Sequence, residues 1–533
     1  MWPKHLRMRL WIILAIMSIC ATPIGEIYAQ TSSGTAPQCP TPPTSILVYL
    51  NSFYNEWPPG SSRYQTPAFE DYVWGVVMGE LGPSVPQGPY QGQGWDDEVL
   101  RAQAVAARTW GSYWCRKRVL PDGRRGVYDG AGDQVYRPYY TGFPSATKTR
   151  YQNVSRETRG AYISWDGLLL QSPYNGVLLD AQYRRDVGNP SMTASEQQTW
   201  SGYQYLRSVN NPYNVNGIDD GVGWAQLPSQ GWRNTPDRVN RGGAGAGYPQ
   251  LLHQYYTGVY LQNQRYTTFS EKFWNNTSCS GTPAWSGTTN SINYDWGSGS
   301  PNSSVNSDYF CAEWYQANVP FDASDWYTFY FIVDDGVQLY VDGMLVLDRW
   351  VVQAPTMYSI SLYLSSGNHS IRMRYFENTG LAVARLSWLR GTGMMGEYYD
   401  SIINKTGDPG ATAIMVRPDI PIKFDWYTYS PLDTRQAGVP RIFEDTFSAR
   451  WQGRIYINQC KWINFRTRTD DGVFLKIIHD PYGGGEEVLI DQWHDQPPTN
   501  YNFWRWLCPG TYRLEARYYE NGGWAVIDIW WEQ

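Results

Sequence analysis

The sequence predicts a multidomain α+β protein in which a mixed α/β N-terminal domain is followed by two all-β sandwich domains. Three observations carry this. The chain of 533 residues is too long for one core, since domains run at roughly 100 to 200 residues each. Helical periodicity disappears from about residue 268, where short aromatic strands separated by Gly, Asn, Asp and Pro take over. Beyond that point an ordered set of short strings occurs twice.

In chain order, Lys4, Arg7 and Arg9 precede an apolar stretch over 10–20, and Ile27-Tyr28-Ala29 resembles a signal-peptidase site. Residues 1–29 therefore read as a removed signal peptide, because the apolar stretch is far shorter than the roughly 20 residues that span a bilayer. Ile19 before Cys20 does not suit lipoprotein processing. No other stretch is apolar enough to cross a membrane, so the mature chain is expected outside the cytoplasm and not membrane-spanning. Residues 30–44, rich in Ser, Thr and Pro, read as an extended linker.

The first domain is expected over 45–262. Phe69, Tyr72, Val73, Val76 and Val77 stand at helical spacing and Pro83 closes the segment, which predicts a helix over 69–80. A second helix is predicted from Asp96 to about Trp114. Its acidic start complements the macrodipole, and the run 100–108 is made of good helix formers. Further on, Asp166-Gly167 between apolar runs at 160–170 reads as a hairpin.

The sandwiches are expected over 268–390 and 391–533. Asp334-Asp335-Gly336-Val337 recurs as Asp470-Asp471-Gly472-Val473, 136 residues on. Leu347-Asp348-Arg349-Trp350 recurs as Ile490-Asp491-Gln492-Trp493, and Arg374-Tyr375-Phe376-Glu377-Asn378 as Arg517-Tyr518-Tyr519-Glu520-Asn521, both 143 residues on. The order holds, with a small insertion in the second copy. Asp-Asp-Gly is a common turn in which Asp bonds its own backbone and Gly supplies positive φ. That reading outweighs a calcium or carbohydrate site at Asp334, Asp335, Asp470 and Asp471, because spacing does not reveal the further oxygen ligands calcium needs. Trp350 and Trp493 read as core.

Composition narrows the partners. Removing the signal, with its three basic residues and Glu26, moves the formal charge from −6 to −8, which excludes nucleic acid as a natural partner. Charged residues make up 17% and aromatics 16%, with 27 Trp and 42 Tyr, a balance that suits secreted β-structure and sugar recognition alike. Six cysteines remain, two to each domain, and 39 to 115, 279 to 311 and 460 to 508 is the simplest pairing in an oxidising compartment. His253, His369, His479 and His494 are the only histidines beyond the signal, which leaves little room for His-based catalysis.

The first domain resembles that shared by stage II sporulation protein D and the amidase enhancers of the LytB type. The match is carried by 69–81 running into Gly79-Glu80, by the helix string 100–109, and by Gln134-Val135-Tyr136, Glu157-Thr158-Arg159-Gly160 and Tyr205-Leu206-Arg207-Ser208-Val209. Gly221-Val222-Gly223-Trp224-Ala225-Gln226 and Tyr255-Tyr256-Thr257-Gly258-Val259 complete the ordered set. The resemblance implies a peptidoglycan lytic transglycosylase whose single catalytic glutamate is Glu80. One carboxylate suffices there: glycoside hydrolysis normally employs two, but attack by the sugar's own 6-hydroxyl removes the need for a nucleophilic side chain. Gly79 would leave room for a sugar. Gln103 and Arg108 on the second helix either hold substrate or tie the helix to its neighbours. Where several family members carry metal-linked Cys and His, this chain has Asp133, Asp220 and 183–188, which argues against zinc. These departures keep a non-catalytic, wall-binding or amidase-enhancing role open as the alternative. The repeats resemble the protective-antigen-type (PA fourteen-like) β-sandwich of bacterial glycosidases, toxins and adhesins, some members of which bind calcium and sugar through paired aspartates. Peptidoglycan or another wall polysaccharide, and a cell-wall amidase, are the partners this implies.

Overall fold

A computed structural model describes residues 44–83, 95, 97–115, 117–130, 133–159, 161–165, 177–178, 259–263, 268–406, 411–427, 430–431, 442–480 and 485–533. The expected signal peptide, the linker up to residue 43, the strings at 205–209 and 221–226, Asp220 and residues 183–188 lie outside these.

Helices α1 (Phe69–Leu81), α2 (Asp97–Trp114) and α3 (Ser145–Glu157) form the first domain with two small sheets. Helix α1 has no side-chain N-cap; Glu70 and Asp71 in its first turn complement the macrodipole, and Gly82 ends it at φ 67° with its N–H bonded to the Met78 carbonyl. Every residue from Tyr72 to Met78 is buried, because α2, α3 and the 133–138 segment pack around it. Strand Ala161–Trp165 pairs with Val259–Asn263 and with Val177–Leu178. The hairpin expected across Asp166-Gly167 lies outside the described residues.

Arg108 holds this domain together. Fully buried on α2, its guanidinium donates to both carboxylate oxygens of Glu70 on α1, at 2.9 and 2.7 Å, and to the carbonyls of Ser155 on α3 and Ala161. A bidentate pair of this kind satisfies a charge that could not otherwise be buried.

The rest of the described chain is all β. The first sandwich packs a six-stranded sheet, ordered Met344–Arg349, Gly336–Val341, Gly367–Glu377, Phe310–Phe321, Phe269–Trp274, Trp285–Thr289, against strands Thr356–Leu364, Asp325–Asp334, Ala382–Arg390 and Asn293–Gly297. In the second, Glu486–Gln492, Gly472–Asp480, Gly510–Glu520 and Phe447–Ile457, extended by Met394–Tyr399 and Met415–Asp419, face a four-stranded sheet of Ile422–Tyr427, Ala525–Glu532, Lys461–Thr469 and Thr499–Leu507. Disulfides Cys279–Cys311 and Cys460–Cys508 form as expected. Cys115 is disulfide-bonded too, and Cys39 lies outside the described residues.

The sandwiches are not separate beads. Ile360, Ser361 and Leu362 pair in parallel with Arg454, Ile455 and Tyr456, which fuses one sheet from each into a single ten-stranded sheet. Across this seam registered side chains share a face. Ile360 and Leu362 belong to the first sandwich's core and Tyr456 packs on it, whereas Ile455 belongs to the second sandwich's core. The two cores therefore lie on opposite faces of one sheet. The first domain docks on the same assembly: Tyr330, Leu389, Met395 and Ile420 complete its core, and Arg159 reaches Asp322 at 3.5 Å.

Replacing Arg108 with methionine should leave Glu70 unpaired beneath α3. A loss of about 3 to 5 kcal/mol is expected for a broken buried pair, read by denaturant unfolding followed by far-UV circular dichroism.

Candidate functional site

Glu80 sits half-buried in the last turn of α1, where the macrodipole is unfavourable to a carboxylate. The Val135 N–H donates to its Oε1 at 2.7 Å. Gly75 and Gly79, one turn apart, make this approach possible. A Cβ on Gly79 would lie 1.9 Å from the Val135 carbonyl oxygen, and one on Gly75 2.4 Å from the Tyr136 ring. Gly79 thus makes room for the chain's own backbone, not for a sugar as the sequence suggested.

The loop that reaches Glu80 is itself anchored. Asp129, fully buried, accepts the backbone N–H groups of Asn51, Ser52 and Phe53 at 2.7 to 2.8 Å. The Tyr72 hydroxyl donates to Gln134 Oε1 at 2.7 Å. Asp133 accepts the Tyr128 N–H at 2.8 Å and pairs with Arg118, and burial nevertheless pushes its carboxyl up. The string Gln134-Val135-Tyr136 therefore presents one backbone donor to one glutamate.

Arg108 is taken up by Glu70 and by α3, as described above. Gln103 is fully buried on α2, and its amide finds no hydrogen-bond partner among the described residues. Asp133 is committed to Arg118 and Tyr128. Its position does not fit a zinc ligand.

The Asp-Asp-Gly strings turn out not to be turns of the expected kind. Asp334 ends one strand and Gly336 starts the next; neither Gly336 nor Gly472 has positive φ, which falls instead on Asp471 at 61°. The glycines are needed because a Cβ would meet the Phe376 ring at 2.1 Å and the Tyr519 ring at 2.0 Å. The carboxylates bond distant backbone. Asp335 accepts the N–H of Gln353 at 2.8 Å and of Asn378 at 2.7 Å; Asp471 accepts those of Gln496 at 3.1 Å and Asn521 at 2.7 Å. In both copies a glutamine amide closes the ring by donating to the aspartate's own carbonyl, Gln353 at 2.7 Å and Gln496 at 2.9 Å.

Each pair is completed by a glutamate that spacing did not reveal. Asp334, Asp335 and Glu377 bring carboxylate oxygens within 4.8 Å of one another, as do Asp470, Asp471 and Glu520. The repeated Tyr-X-Glu-Asn strings were the available signal, since Tyr375 and Tyr518 donate to Glu377 and Glu520 at 3.0 and 2.9 Å. Burial, then the neighbouring Asp335, lifts Asp334 to about 7. Burial, with Asp335 and Asp334 adding to it, lifts Glu377 to about 8. Burial, then Asp471, lifts Glu520 to about 9, and burial raises Asp471 as well. Oε1 of both glutamates is buried without a hydrogen-bond partner among the described residues. Clustered hard oxygen donors, one of them without a hydrogen bond in each copy, fit calcium. The second cluster is the more acidic, since Asp495, which accepts Tyr519 and Asn521, stands where the first copy has Val352.

Residues 61–165 match the stage II sporulation protein family, and residues 265–397 match the PA14 domain. A curated relative, the anti-sigma-I factor RsgI3 of Acetivibrio thermocellus, is 29% identical over 267 residues. The match covers 45% of this chain and 38% of that protein, so the chain spans well under half of its relative's length. Among solved structures, an anti-sigma factor domain-containing protein from Clostridium clariflavum is 23% identical, covering 50% of this chain and 93% of that one at a TM-score of 0.21. The PA14 sugar-binding domain from an RTX adhesin is 17% identical, covering 27% and 90% at a TM-score of 0.19. The chain thus carries a stage II sporulation protein domain followed by a PA14 domain, and behind them a second sandwich that repeats the same acidic constellation.

Proposed function

We propose that the protein acts on the bacterial cell wall outside the cytoplasm, as a lytic transglycosylase whose two sandwiches hold it on wall polysaccharide. The observation that carries this is Glu80, a half-buried carboxylate held by the Val135 N–H on a string matched to the sporulation protein family. Protonated Glu80 gives its proton to the glycosidic oxygen as the bond to C1 breaks. The carboxylate then takes the proton of the same sugar's 6-hydroxyl as that oxygen bonds C1, leaving a 1,6-anhydro end and restoring the acid. Asp334, Asp335 and Glu377, with Asp470, Asp471 and Glu520, would hold calcium, which supplies positive charge for sugar hydroxyls. The residues around each pair do the rest: Gln353 and Gln496 lock the aspartates, and Tyr375 and Tyr518 orient the glutamates.

A second reading, a wall-binding or amidase-enhancing protein without cleavage, is favoured by Asp133. That residue is spent on an ion pair at a position where relatives place a metal-linked cysteine.

Incubated with peptidoglycan stripped of its stems, the protein should release anhydro-muramyl ends. Glu80→Gln should lower that rate by about 10²- to 10⁴-fold, the usual weight of a general acid–base group. Absence of such ends from the unaltered protein would leave the binding reading.

Retention on insoluble wall material should fall in chelator. It should fall likewise in the double variant Asp335→Asn, Asp471→Asn; retention unchanged in both would remove calcium from the account.

Folded Asp334, Glu377 and Glu520 bind protons more tightly than they do unfolded. Their contribution in chelator is therefore complete at acid pH and lost as pH rises through about 7, 8 and 9 respectively. Thermal unfolding in chelator should show Tm falling over that range, and added calcium should raise Tm more at pH 9 than at pH 6.

A further inference from the structure

The two sandwiches carry the same strand pair in different surroundings. In the first, Asp325–Asp334 pairs with Thr356–Leu364; in the second, Lys461–Thr469 pairs with Thr499–Leu507 in the equivalent register, so that Trp462 opposite Trp506 repeats Trp326 opposite Tyr363. Protein closes the outer face of the first pair. Trp326 is buried in the core of the second sandwich and Tyr330 in that of the first domain. Between them Thr328 and Ser361, both fully buried, bond the Gly391 and Gly393 carbonyls. The outer face of the second pair is open. Trp462, Trp504 and Trp506 are 54, 51 and 45% exposed, and Asn500 and Asn502, which alternate onto the same face, are exposed as well.

The chemistry of this face indicates what it meets. Among the described residues none of the three indole N–H groups and neither asparagine amide has a hydrogen-bond partner, and the Trp462 and Trp506 rings touch only each other, at 5.5 Å. The face thus offers flat aromatic surface and unused polar groups together. Its charges are already matched: Arg466 pairs with Glu532 at 2.9 Å and lies 5.1 Å from the centre of the Trp530 ring, and Asn464 donates to the same glutamate at 3.3 Å. Nucleic acid or an anionic membrane would require unpaired basic groups here, so charge complementarity favours an uncharged partner.

Nor does this face copy the one that docks protein. Trp504 stands where the first sandwich has Ser361, and Asn502 where it has Ser359. The small hydroxyls that let backbone close down on the first sheet are replaced by larger side chains. The strands beneath the rings are fixed, because Cys460–Cys508 forms the next rung beyond Lys461 opposite Leu507. Thr499–Leu507 is also the outermost strand of its sheet, so no further strand borders the rings on that side.

A pyranose ring with equatorial substituents presents C–H groups on its faces and hydroxyls around its rim. Exposed indoles meet the first with an electron-rich face and the second with N–H donors. We propose that the outer face of the second sandwich is a metal-independent platform for an uncharged, β-1,4-linked pyranose chain. The polysaccharide rests on the wall reading above; the platform rests on the tryptophans and on the contrast between the two copies. It is separate from the acidic cluster, since Trp462 and Asp470 lie at opposite ends of one extended strand, about 26 Å apart at the usual rise per residue.

The test uses the whole protein in chelator, so that the acidic clusters contribute no metal-dependent binding. Retention is measured on insoluble chitin, cellulose and stem-free peptidoglycan, which are β-1,4-linked, and on insoluble starch, which is α-1,4-linked. At least one β-1,4-linked solid should retain the protein about tenfold more strongly than starch, and the ranking of the three identifies the source of the chain. Trp504→Ala and Trp506→Ala should each weaken that retention by about tenfold, the weight of a tryptophan anchor, and the triple variant with Trp462→Ala should abolish it. Because all three positions are exposed, the variants should keep the parental far-UV circular dichroism and Tm. Asp335→Asn with Asp471→Asn, and Glu80→Gln, should leave retention in chelator unchanged, so that failure of the calcium or cleavage readings does not touch this one. Retention on chitin or cellulose but not on peptidoglycan would support the platform while removing the wall as its target. No retention in chelator, equal retention on starch, or retention that survives the triple substitution would each overturn the proposal. So would a dimer in sedimentation equilibrium that the triple variant converts to monomer, since the face would then be an interface between copies.

Discussion

Three residues of parallel strand pairing govern the geometry of this molecule. Ile360 to Leu362 and Arg454 to Tyr456 satisfy each other's backbone groups and merge two sheets into one. An open edge would have to be protected in some other way. Because the pairing is in register, it also decides sidedness: the first core takes one face and the second core the other. That places the outer, charged face of one sandwich against the edge of its neighbour. Thr511 then bonds the Val346 carbonyl at 3.0 Å.

A second constraint is charge burial. Each sandwich encloses three carboxylates with no arginine or lysine partner for Asp335, Glu377, Asp471 or Glu520 among the described residues. Glu377 and Glu520 either stay protonated or hold a cation, since desolvating an unpaired carboxylate is costly. The first domain and the strands meet burial differently. Arg108 takes both oxygens of Glu70, and Asp419 is supplied by Arg417 at 2.8 Å, the Tyr398 hydroxyl at 2.6 Å and Trp451 Nε1 at 2.7 Å. Buried acids that serve structure come with their donors already in place. Those of the two Asp-Asp-Glu clusters keep one glutamate oxygen unsatisfied in each copy.

Close packing, not flexibility, shapes the Glu80 site. Gly75 and Gly79 let a loop lie directly on α1, and the same loop is pinned by Asp129, Gln134 and the Arg118 pair. A carboxylate held by a backbone N–H from a rigid loop is preorganised, which is what proton transfer at a fixed atom requires.

Helices α1 and α2, the all-β character after 268, the duplication and two of the disulfides were legible in the sequence, because each is written in local periodicity, turn chemistry or ordered repetition. Helix α3 was not, since Ser145–Glu157 is largely polar and buries only Tyr151, Val154 and Ser155. Glu80 was identifiable from its string, whereas its partner Val135 lies 55 residues away. The Asp-Asp-Gly strings were visible, but their meaning was misread: local turn rules give Gly a positive φ, while here a tyrosine or phenylalanine ring from a distant strand demands its missing Cβ. Glu377 and Glu520 join the aspartates only when the strands pair. Sequence alone determined the kinds of domain and the candidate residues for chemistry, because those rest on short-range pattern. Only the tertiary structure decided which carboxylates share a site, which arginines are spent, and that two sandwiches become one sheet, because each depends on contacts between residues far apart in the chain.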